Sequence, residues 1–297
     1  MLIKFLPIPV NKIWGGDNLR DFYNISGNAK IGEIWGISGH KSKSNSIVNK
    51  DFIGKNFRDI YKNNRDYFGN LDFDEFPLIF KIIDAEKNLS IQVHPNNQYA
   101  LKHENANGKD ECWYVLKTKS KLTEIIIGHN AKTKKEFENL VKEKRFDKLL
   151  NHYTIKHGDF FYIPSGTVHA ICADTTLLEI SLSSDVTYRL YDYDRLENGV
   201  PRELHIDKAL DVIKIPDNKI ITTLPKKIFS FEVKENRGKN ETISHIYGDY
   251  LYVLKGFGLI DGIEVKQGDF LMITSRSCYH IDGDFSYTLT NILLENI

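Results

Sequence analysis

Short apolar runs, rich in Ile, Val, Phe and Tyr and separated by Gly, Asn or Asp, dominate the chain. Examples are FPLIFKIID (76–84), CWYVL (112–116), LTEIIIG (122–128), DFFYIP (159–164) and TLLEISL (176–182). Closely spaced runs of this length and composition, bounded by turn residues, are typical of β-strands. The pattern therefore predicts a mainly β protein, built as a sandwich or a barrel, rather than parallel βαβ units.

Two stretches depart from the strand pattern and predict helices. Within residues 132–153 the apolar positions recur at roughly helical spacing between charged residues, and they are Phe137, Leu140, Val141, Leu149 and Leu150. This pattern indicates an amphipathic helix whose apolar side faces the core. A second, shorter helix is predicted over residues 207–213 and is interpreted as a plain surface helix.

Two segments that lie far apart in the chain resemble each other. HGDFFYIPSGTVHAI (157–171) and QGDFLMITSRSCYHI (267–281) share Gly-Asp-Phe, a following apolar run and a histidine near the end. YLYVLKGFG (250–258) similarly resembles ECWYVL (111–116). An internal repeat of this kind predicts two related β-barrels. The alternative is a chance recurrence of Gly-Asp-Phe.

Composition and charge narrow the classes of function. The 297 residues suffice for one large domain or two of ordinary size, and 41% hydrophobic with 27% charged residues is the profile of a soluble globular protein. The 40 Lys and Arg residues balance the 40 Asp and Glu residues. No overall positive field therefore favours nucleic acid, and any bound anion must be held by a local cluster.

The cysteines and the apolar segments bear on the compartment. Cys112, Cys172 and Cys278 show no paired short spacing, which disfavours a disulfide framework and a cysteine-based zinc site and fits a reducing cytoplasm. The first residues lack an apolar core followed by a small-residue cleavage site. No apolar run reaches about 18 residues, so neither secretion nor membrane insertion is expected.

Four polar residues stand out as candidate metal ligands. Gln92 and His94 are two residues apart, so on a strand their side chains leave the same face. Glu111 begins a later strand-like run, and His169 starts the strand that follows the turn at 164–166. An amide, two imidazoles and a carboxylate suit Zn²⁺, with Mn²⁺, Fe²⁺ or Co²⁺ as substitutes. The alternative is that the histidines are ordinary core or surface residues and that Glu111 faces solvent.

Four segments together resemble the signature sequences of a known family. LSIQVHP (89–95), GKDECWYVL (108–116), IPSGTVHAI (163–171) and LEISLSSDVTYRLYDYDR (178–195) are similar, in this order, to motifs of the type I mannose-6-phosphate isomerases in their short bacterial form. The similarity extends from IWGG (13–16) and GEIWGISGH (32–40) to the C-terminal part of the chain.

The resemblance implies a bicupin, that is, two cupin-like jelly-roll β-barrels with a few short helices. A catalytic domain would span residues 1–215, including the helix at 132–153, and a degenerate cupin domain would span residues 216–297. One zinc ion would be held in the first barrel by Gln92, His94, Glu111 and His169. The second barrel carries Thr274 and Arg276 where the first has Pro164 and Gly166, and it is expected to bind no metal.

The resemblance also implies an activity and the residues that perform it. Mannose 6-phosphate and fructose 6-phosphate would be interconverted through a cis-enediol, with a divalent metal offsetting negative charge on its oxygens. Arg189 matches the catalytic arginine of the family, Glu179 its proposed proton-transfer base and Lys109 its active-site lysine. Lys81 and Ser90 match positions implicated in contact with substrate or phosphate.

Each of these residues also has a structural interpretation. Glu179 would orient a metal ligand or pair with Arg189, and Lys81 would be an edge-strand or snorkelling lysine. Arg189 would form a salt bridge with a nearby acid. The acids near it in the sequence are Asp185, Asp192 and Asp194.

Two rival functions fit the same residues. One is an isomerase of another sugar or sugar phosphate on the same scaffold, and the other is a non-catalytic bicupin that binds sugars. In the preferred interpretation the partner is a small sugar phosphate rather than nucleic acid or a membrane. The chain is expected to be a monomer or a weak homodimer.

Overall fold

Strands account for most of the regular structure. A computed structural model describes residues 1–217, 219–225 and 228–293. The strands are β1 (Leu2–Lys4), β2 (Ile8–Gly16), β3 (Ile31–His40), β4 (Lys43–Ser44), β5 (Leu78–Ala85), β6 (Ile91–Val93), β7 (Glu111–Thr118), β8 (Glu124–His129), β9 (Leu150–Thr154), β10 (Phe160–Ile163), β11 (His169–Ile171), β12 (Thr175–Leu182), β13 (Tyr188–Tyr191), β14 (Leu196–Glu197), β15 (Val200–Pro201), β16 (Phe229–Asn236), β17 (Lys239–Ile243), β18 (Asp249–Ile260), β19 (Ile263–Lys266), β20 (Phe270–Ile273) and β21 (Cys278–Ile292). The helices are α1 (Asn18–Phe22), α2 (Phe57–Asn63), α3 (Asn97–Glu104), α4 (Lys134–Lys142), α5 (Phe146–Leu149) and α6 (Ile206–Val212). The predicted mainly β class is confirmed.

The chain divides into two compact units that do not follow one another in sequence. The terminal unit contains the described residues of Met1–Ile8, Trp35–Ile79 and Leu224–Ile297, and the central unit contains Pro9–Ile34 and Phe80–Thr223. The predicted boundary between residues 215 and 216 differs from this division. One reason is that β1 pairs with β20, which joins the start of the chain to the C-terminal sheet.

Two sheets enclose the core of the central unit. One runs in the order β10-β7-β12-β5 and continues into β3 and β2, and the other runs β13-β6-β11-β8-β9. Trp113 and Leu177 from the first sheet pack with Ile127 and Ile171 from the second in one buried apolar cluster. These sheets therefore form a sandwich. The strand pairings of the described residues leave end strands in each sheet, so closure into a barrel stays a prediction.

The helices of the central unit cover the outer face of its second sheet. Ile126 lies between two inward-facing residues of β8 and, because strand side chains alternate, it packs outward. There it joins a second buried cluster with Phe137 and Val141 of α4 and Leu210 of α6. The sequence thus places apolar residues on both faces of this sheet.

The predicted helix at 132–153 is wrong in extent. The segment forms two short helices, α4 and α5, and then the strand β9. Lys144, between the helices, has a φ of +53°, a left-handed conformation that interrupts a helix. Leu149 ends α5 and Leu150 begins β9, and both side chains are buried in the core. Their spacing therefore fits a short helix followed by a strand as well as it fits one long helix. The predicted helix at 207–213 is confirmed as α6, shifted by one residue.

In the described part of the chain, none of the helices has the length and apolar character needed to cross a bilayer.

The repeated Gly-Asp-Phe segments form the same turn, one in each unit. Gly158 and Gly268 have φ angles of +89° and +93°, which residues with a side chain rarely adopt. The carboxylates of Asp159 and Asp269 each accept the backbone N–H of the residue three positions earlier, at 2.9 and 2.8 Å. The repeat therefore reflects a shared turn that leads into a strand, β10 in one unit and β20 in the other.

Asp249 in the terminal unit occupies the position that Glu111 occupies in the central unit. Glu111 begins β7 and pairs with the last residue of β10, and Asp249 begins β18 and pairs with the last residue of β20. The buried carboxylate of Asp249 accepts hydrogen bonds from the hydroxyl of Tyr279 (2.8 Å), the amide of Asn291 (2.7 Å) and the backbone N–H of His245 (2.9 Å). These donors compensate for its burial.

Tyr279 is the counterpart of His169 in this repeat. His169 lies six residues after the end of β10, and Tyr279 lies six residues after the end of β20. His280 comes one residue later and therefore leaves the opposite face of its strand. There its exposed ring lies 3.0 Å from the carboxylate of Glu241. The shared histidine of the sequence comparison is thus offset by one position.

We expect Tyr279→Phe to lower the free energy of unfolding by about 1–3 kcal/mol, because it removes a donor from a buried carboxylate. Urea denaturation would measure the change. His280→Ala, at an exposed position, should stay within about 0.5 kcal/mol of the wild type. Equal stability of Tyr279→Phe and the wild type would contradict the role given to this hydrogen bond.

Candidate metal centre

Three buried side chains converge within the central unit. His94 follows β6, Glu111 begins β7 and His169 begins β11, and their ligand atoms all lie within 4.8 Å of one another. Nε2 of His94 is 3.5 Å from Oε2 of Glu111, and Nε2 of His169 is 3.5 Å from Oε1. Both imidazoles therefore turn the same nitrogen toward one carboxylate.

Gln92, the fourth predicted ligand, lies at the same place. It is directly opposite His169 in the pairing of β6 with β11. Nε2 of its amide is 3.3 Å from Nε2 of His169, and its Oε1 accepts a hydrogen bond from the hydroxyl of Ser90 at 3.1 Å. Strand alternation and register thus bring the amide and both imidazoles to one side of the sheet.

Backbone carbonyls determine which nitrogen of each imidazole carries the proton. Nδ1 of His94 lies 2.9 Å from the carbonyl of Val186, and Nδ1 of His169 lies 2.9 Å from the carbonyl of Thr167. A carbonyl only accepts, so each Nδ1 carries a proton, and in the neutral form of each ring the lone pair lies on Nε2. These carbonyls have no signature in the sequence, which is why sequence reasoning missed them.

The donor set fits a divalent transition metal. Among the described residues, Nε2 of His94 is a buried polar atom without a hydrogen-bond partner. Burial lowers the pKa of His169 to about 3, although Glu111 acts in the opposite direction. At neutral pH the ring of His169 is therefore uncharged and able to coordinate. The buried Trp113 ring and the His169 ring meet edge to face, at 5.5 Å between centroids, and this packing limits the movement of His169.

Lys109 provides the positive charge nearest to Glu111. Its Nζ lies 2.5 Å from Oε2 of Glu111 and 3.1 Å from Oε1 of Glu179. Burial alone would raise the pKa of Glu111, but Lys109, followed by His94, holds that pKa well below its ordinary value. Burial alone would lower the pKa of Lys109, yet the two carboxylates raise it above its ordinary value. The pair therefore stays ionised.

Glu179 contacts two lysines and belongs to the same group. It lies on β12, opposite Trp113 of β7. Besides Lys109, Nζ of Lys81 lies 3.4 Å from its Oε1. Lys81 is buried on β5, which lies between β12 and β3, so it is not an edge-strand lysine. The ion pairs of Glu179 in the described chain are with these lysines and not with Arg189.

Arg189 lies beside this group on β13. It is directly opposite Gln92 in the pairing of β13 with β6. Its Nη1 donates to the carbonyl of Glu203 at 3.2 Å, and its buried Nε has no partner among the described residues. Burial lowers its pKa below the ordinary value. The nearby Asp192 pairs with Arg195 at 2.5 Å instead, and no ion pair in the described ranges includes Arg189.

The chain is similar to known proteins over most of its length. Residues 2–138 match the family described as phosphomannose isomerase type I, catalytic domain. A Bacillus subtilis protein named "Probable mannose-6-phosphate isomerase GmuF" is 43% identical over 252 residues, which are 84% of this chain and 77% of that protein.

Solved structures agree in fold. The crystal structure of the mannose 6-phosphate isomerase from Bacillus subtilis has a TM-score of 0.91 and 35% identity, covering 98% of this chain and 99% of that one. A holo, zinc-bound mannose 6-phosphate isomerase shares the fold with a TM-score of 0.79 and 16% identity, over 99% of this chain and 100% of the other. The Bacillus proteins match most of this chain, at 43% and 35% identity. The chain therefore belongs to the type I mannose-6-phosphate isomerases.

Proposed function

We propose that this chain interconverts mannose 6-phosphate and fructose 6-phosphate with one zinc ion bound by Gln92, His94, Glu111 and His169. Membership of the family supports the reaction. The observation that carries the proposal is the convergence of two imidazoles and a carboxylate in a buried site beside Lys109. Mixed nitrogen and oxygen donors suit Zn²⁺, and Mn²⁺, Fe²⁺ or Co²⁺ are compatible with the same set.

Zinc, when bound, supplies positive charge that favours a substrate oxygen as it becomes negative. The reaction moves a carbonyl from C1 to C2, so a proton must leave C2 and return to C1. We assign this transfer to Glu179 as the general base. Its carboxylate is buried and lies between Lys109 and Lys81, whose ammonium groups hold it in place.

We assign Arg189 to binding the oxygens of the substrate. A guanidinium stays charged and presents several N–H donors in a rigid fork, which matches an oxyanion or a phosphate. Because its described contacts include no carboxylate, this charge is not already neutralised by an ion pair. We assign Lys81 and Ser90 to contact with the substrate or its phosphate and Lys109 to the region of the ring oxygen.

We also place the protein in the cytoplasm, as a monomer or a weak homodimer that acts on a small sugar phosphate. The cysteines Cys112, Cys172 and Cys278 are all free thiols, which fits a reducing compartment.

Exhaustive chelation should abolish turnover of mannose 6-phosphate in a coupled assay, and Zn²⁺ should restore it, because the metal offsets charge in the transition state. Elemental analysis should find about one zinc per chain. Free mannose serves as the control substrate, with kcat/KM lower by about 100-fold or more. Full activity without metal would refute the zinc proposal, and faster turnover of free mannose would refute the phosphate ester as substrate.

Arg189→Ala should reduce kcat by about 100-fold or more, because it removes stabilisation of developing negative charge. Zinc content and the unfolding midpoint should change little, because Arg189 forms no ion pair within the described chain. The exposed Arg237→Ala serves as the control and should keep the wild-type rate. A near-normal rate for Arg189→Ala would show that the arginine is structural.

Lys109→Met should destabilise the metal-free protein by about 3–5 kcal/mol, because it leaves buried carboxylates without their cation. Urea denaturation would measure this. Lys102→Met, at an exposed position of α3, is the control. The double variant Lys109→Met/Glu179→Gln should recover part of the loss, since one carboxylate is then neutral. If it is no more stable than Lys109→Met, the ion pair with Glu179 contributes nothing.

A further inference from the structure

We propose that His205 is a positioning residue, which holds Arg189 in the place where its guanidinium acts on the substrate. The inference rests on the proposed function, because it concerns how Arg189 performs its part. His205 itself is not assigned a contact with substrate or metal.

Two hydrogen bonds join the residues. The backbone N–H of Arg189 donates to Nδ1 of the His205 ring at 3.2 Å, and the backbone N–H of His205 donates to the carbonyl of Arg189 at 2.8 Å. On its other side, Arg189 pairs with Gln92 of β6. The backbone of Arg189 is therefore held from both directions. The register of the strand is irregular just beyond it, between Arg189 and Tyr191, so this support lies next to an interruption of the ladder.

The same segment also holds the side chain of Arg189. Nη1 of the guanidinium donates to the carbonyl of Glu203, two residues before His205. One short stretch of chain thus contacts the backbone and the far end of Arg189. Displacement of His205 would carry the carbonyl of Glu203 with it and would move the guanidinium.

Helix capping does not account for the ring of His205. His205 is the N-cap residue of α6, but its side chain makes no capping hydrogen bond. Ser, Thr, Asp and Asn are the residues that usually serve there. The carbonyl of His205 accepts the N–H of Ala209 at 2.9 Å, and Ala209 and Leu210 are buried in the core. His205 therefore connects Arg189 to a helix that is itself anchored.

The hydrogen bond requires a neutral imidazole. Nδ1 accepts an N–H, so it carries a lone pair and the ring proton resides on Nε2. Burial lowers the pKa of His205 below its ordinary value and favours this form. The charged groups that face the ring oppose one another, because Arg189 and Lys208 lower this pKa while Glu203 and Glu104 raise it.

Three substitutions separate positioning from general stability. In His205→Leu the acceptor is lost, and kcat should fall by about 10- to 100-fold, since a displacement near 1 Å costs about this much. In His205→Asn the Oδ1 atom takes the place of Nδ1, so kcat should return to within about threefold of the wild type. In His205→Gln the acceptor lies one bond further out, at the place of Nε2, and kcat should stay low.

Steady-state kinetics, zinc content and unfolding midpoints are measured for each variant, with His280→Leu in the terminal unit as the control. Zinc should be retained throughout, and KM should change less than kcat. The proposal is overturned if His205→Leu keeps kcat within about twofold of the wild type, if Asn performs no better than Gln, or if activity falls only in proportion to zinc or folded protein.

A crystal structure of His205→Leu tests the inference independently of activity. A displaced Arg189 guanidinium supports the proposal, and an unmoved one overturns it. If the wild-type enzyme does not isomerise mannose 6-phosphate, the proposed function fails, while this structure still decides whether His205 holds Arg189 in place.

Discussion

The carboxylate of Glu111 is ionised where water hardly reaches, and its neighbours in the central unit compensate for that charge. Only 1% of the residue is exposed. An isolated charge in such a place costs several kcal/mol, so it persists only with positive or hydrogen-bonding neighbours. Lys109 and the two imidazoles surround it, and Lys109 is in turn shared with Glu179. A carboxylate with two imidazole nitrogens facing it is a donor set that suits a divalent cation.

Strand pairing in the sandwich explains how these groups reach one place. Register across β13, β6 and β11 aligns Arg189, Gln92 and His169 in a single row. Alternation along β7 and pairing with β12 bring Glu111 and Glu179 inward together. Main-chain carbonyls then orient the imidazoles. Rigid strands thus position the ligand side chains. Carbonyls of irregular segments accept the hydrogen bonds from Nδ1 of the two imidazoles.

Each unit buries an acidic residue at an equivalent position, and the two units compensate for its negative charge in different ways. In the central unit, Glu111 is balanced by cationic and coordinating groups. In the terminal unit, Asp249 is balanced by neutral donors, with Tyr279 standing where His169 stands. A carboxylate that already accepts several neutral hydrogen bonds has little need of a cation. The repeat therefore preserves the turn and the strands while the groups around the buried acid differ.

Spacing within the sequence by itself determined the mainly β class, the repeat of the Gly-Asp-Phe segments and the placement of Gln92 and His94 on one side. These are short-range consequences of strand alternation and turn chemistry, which a local pattern encodes. The same kind of pattern was wrong about the extent of the helix at 132–153, since Leu149 and Leu150 satisfy the core equally well as a short helix and a strand. Recognition of the family motifs, rather than spacing, pointed to Glu179 and Arg189.

Only the tertiary structure decided which charges meet. Glu179 pairs with lysines from distant segments, and Arg189 has no carboxylate partner among the residues that the structure describes. The first residues of the chain join a sheet made mainly from its later segments. Each of these depends on the register between strands that are far apart in the chain. Register is determined by the packing of whole faces, and no local run of residues carries that information.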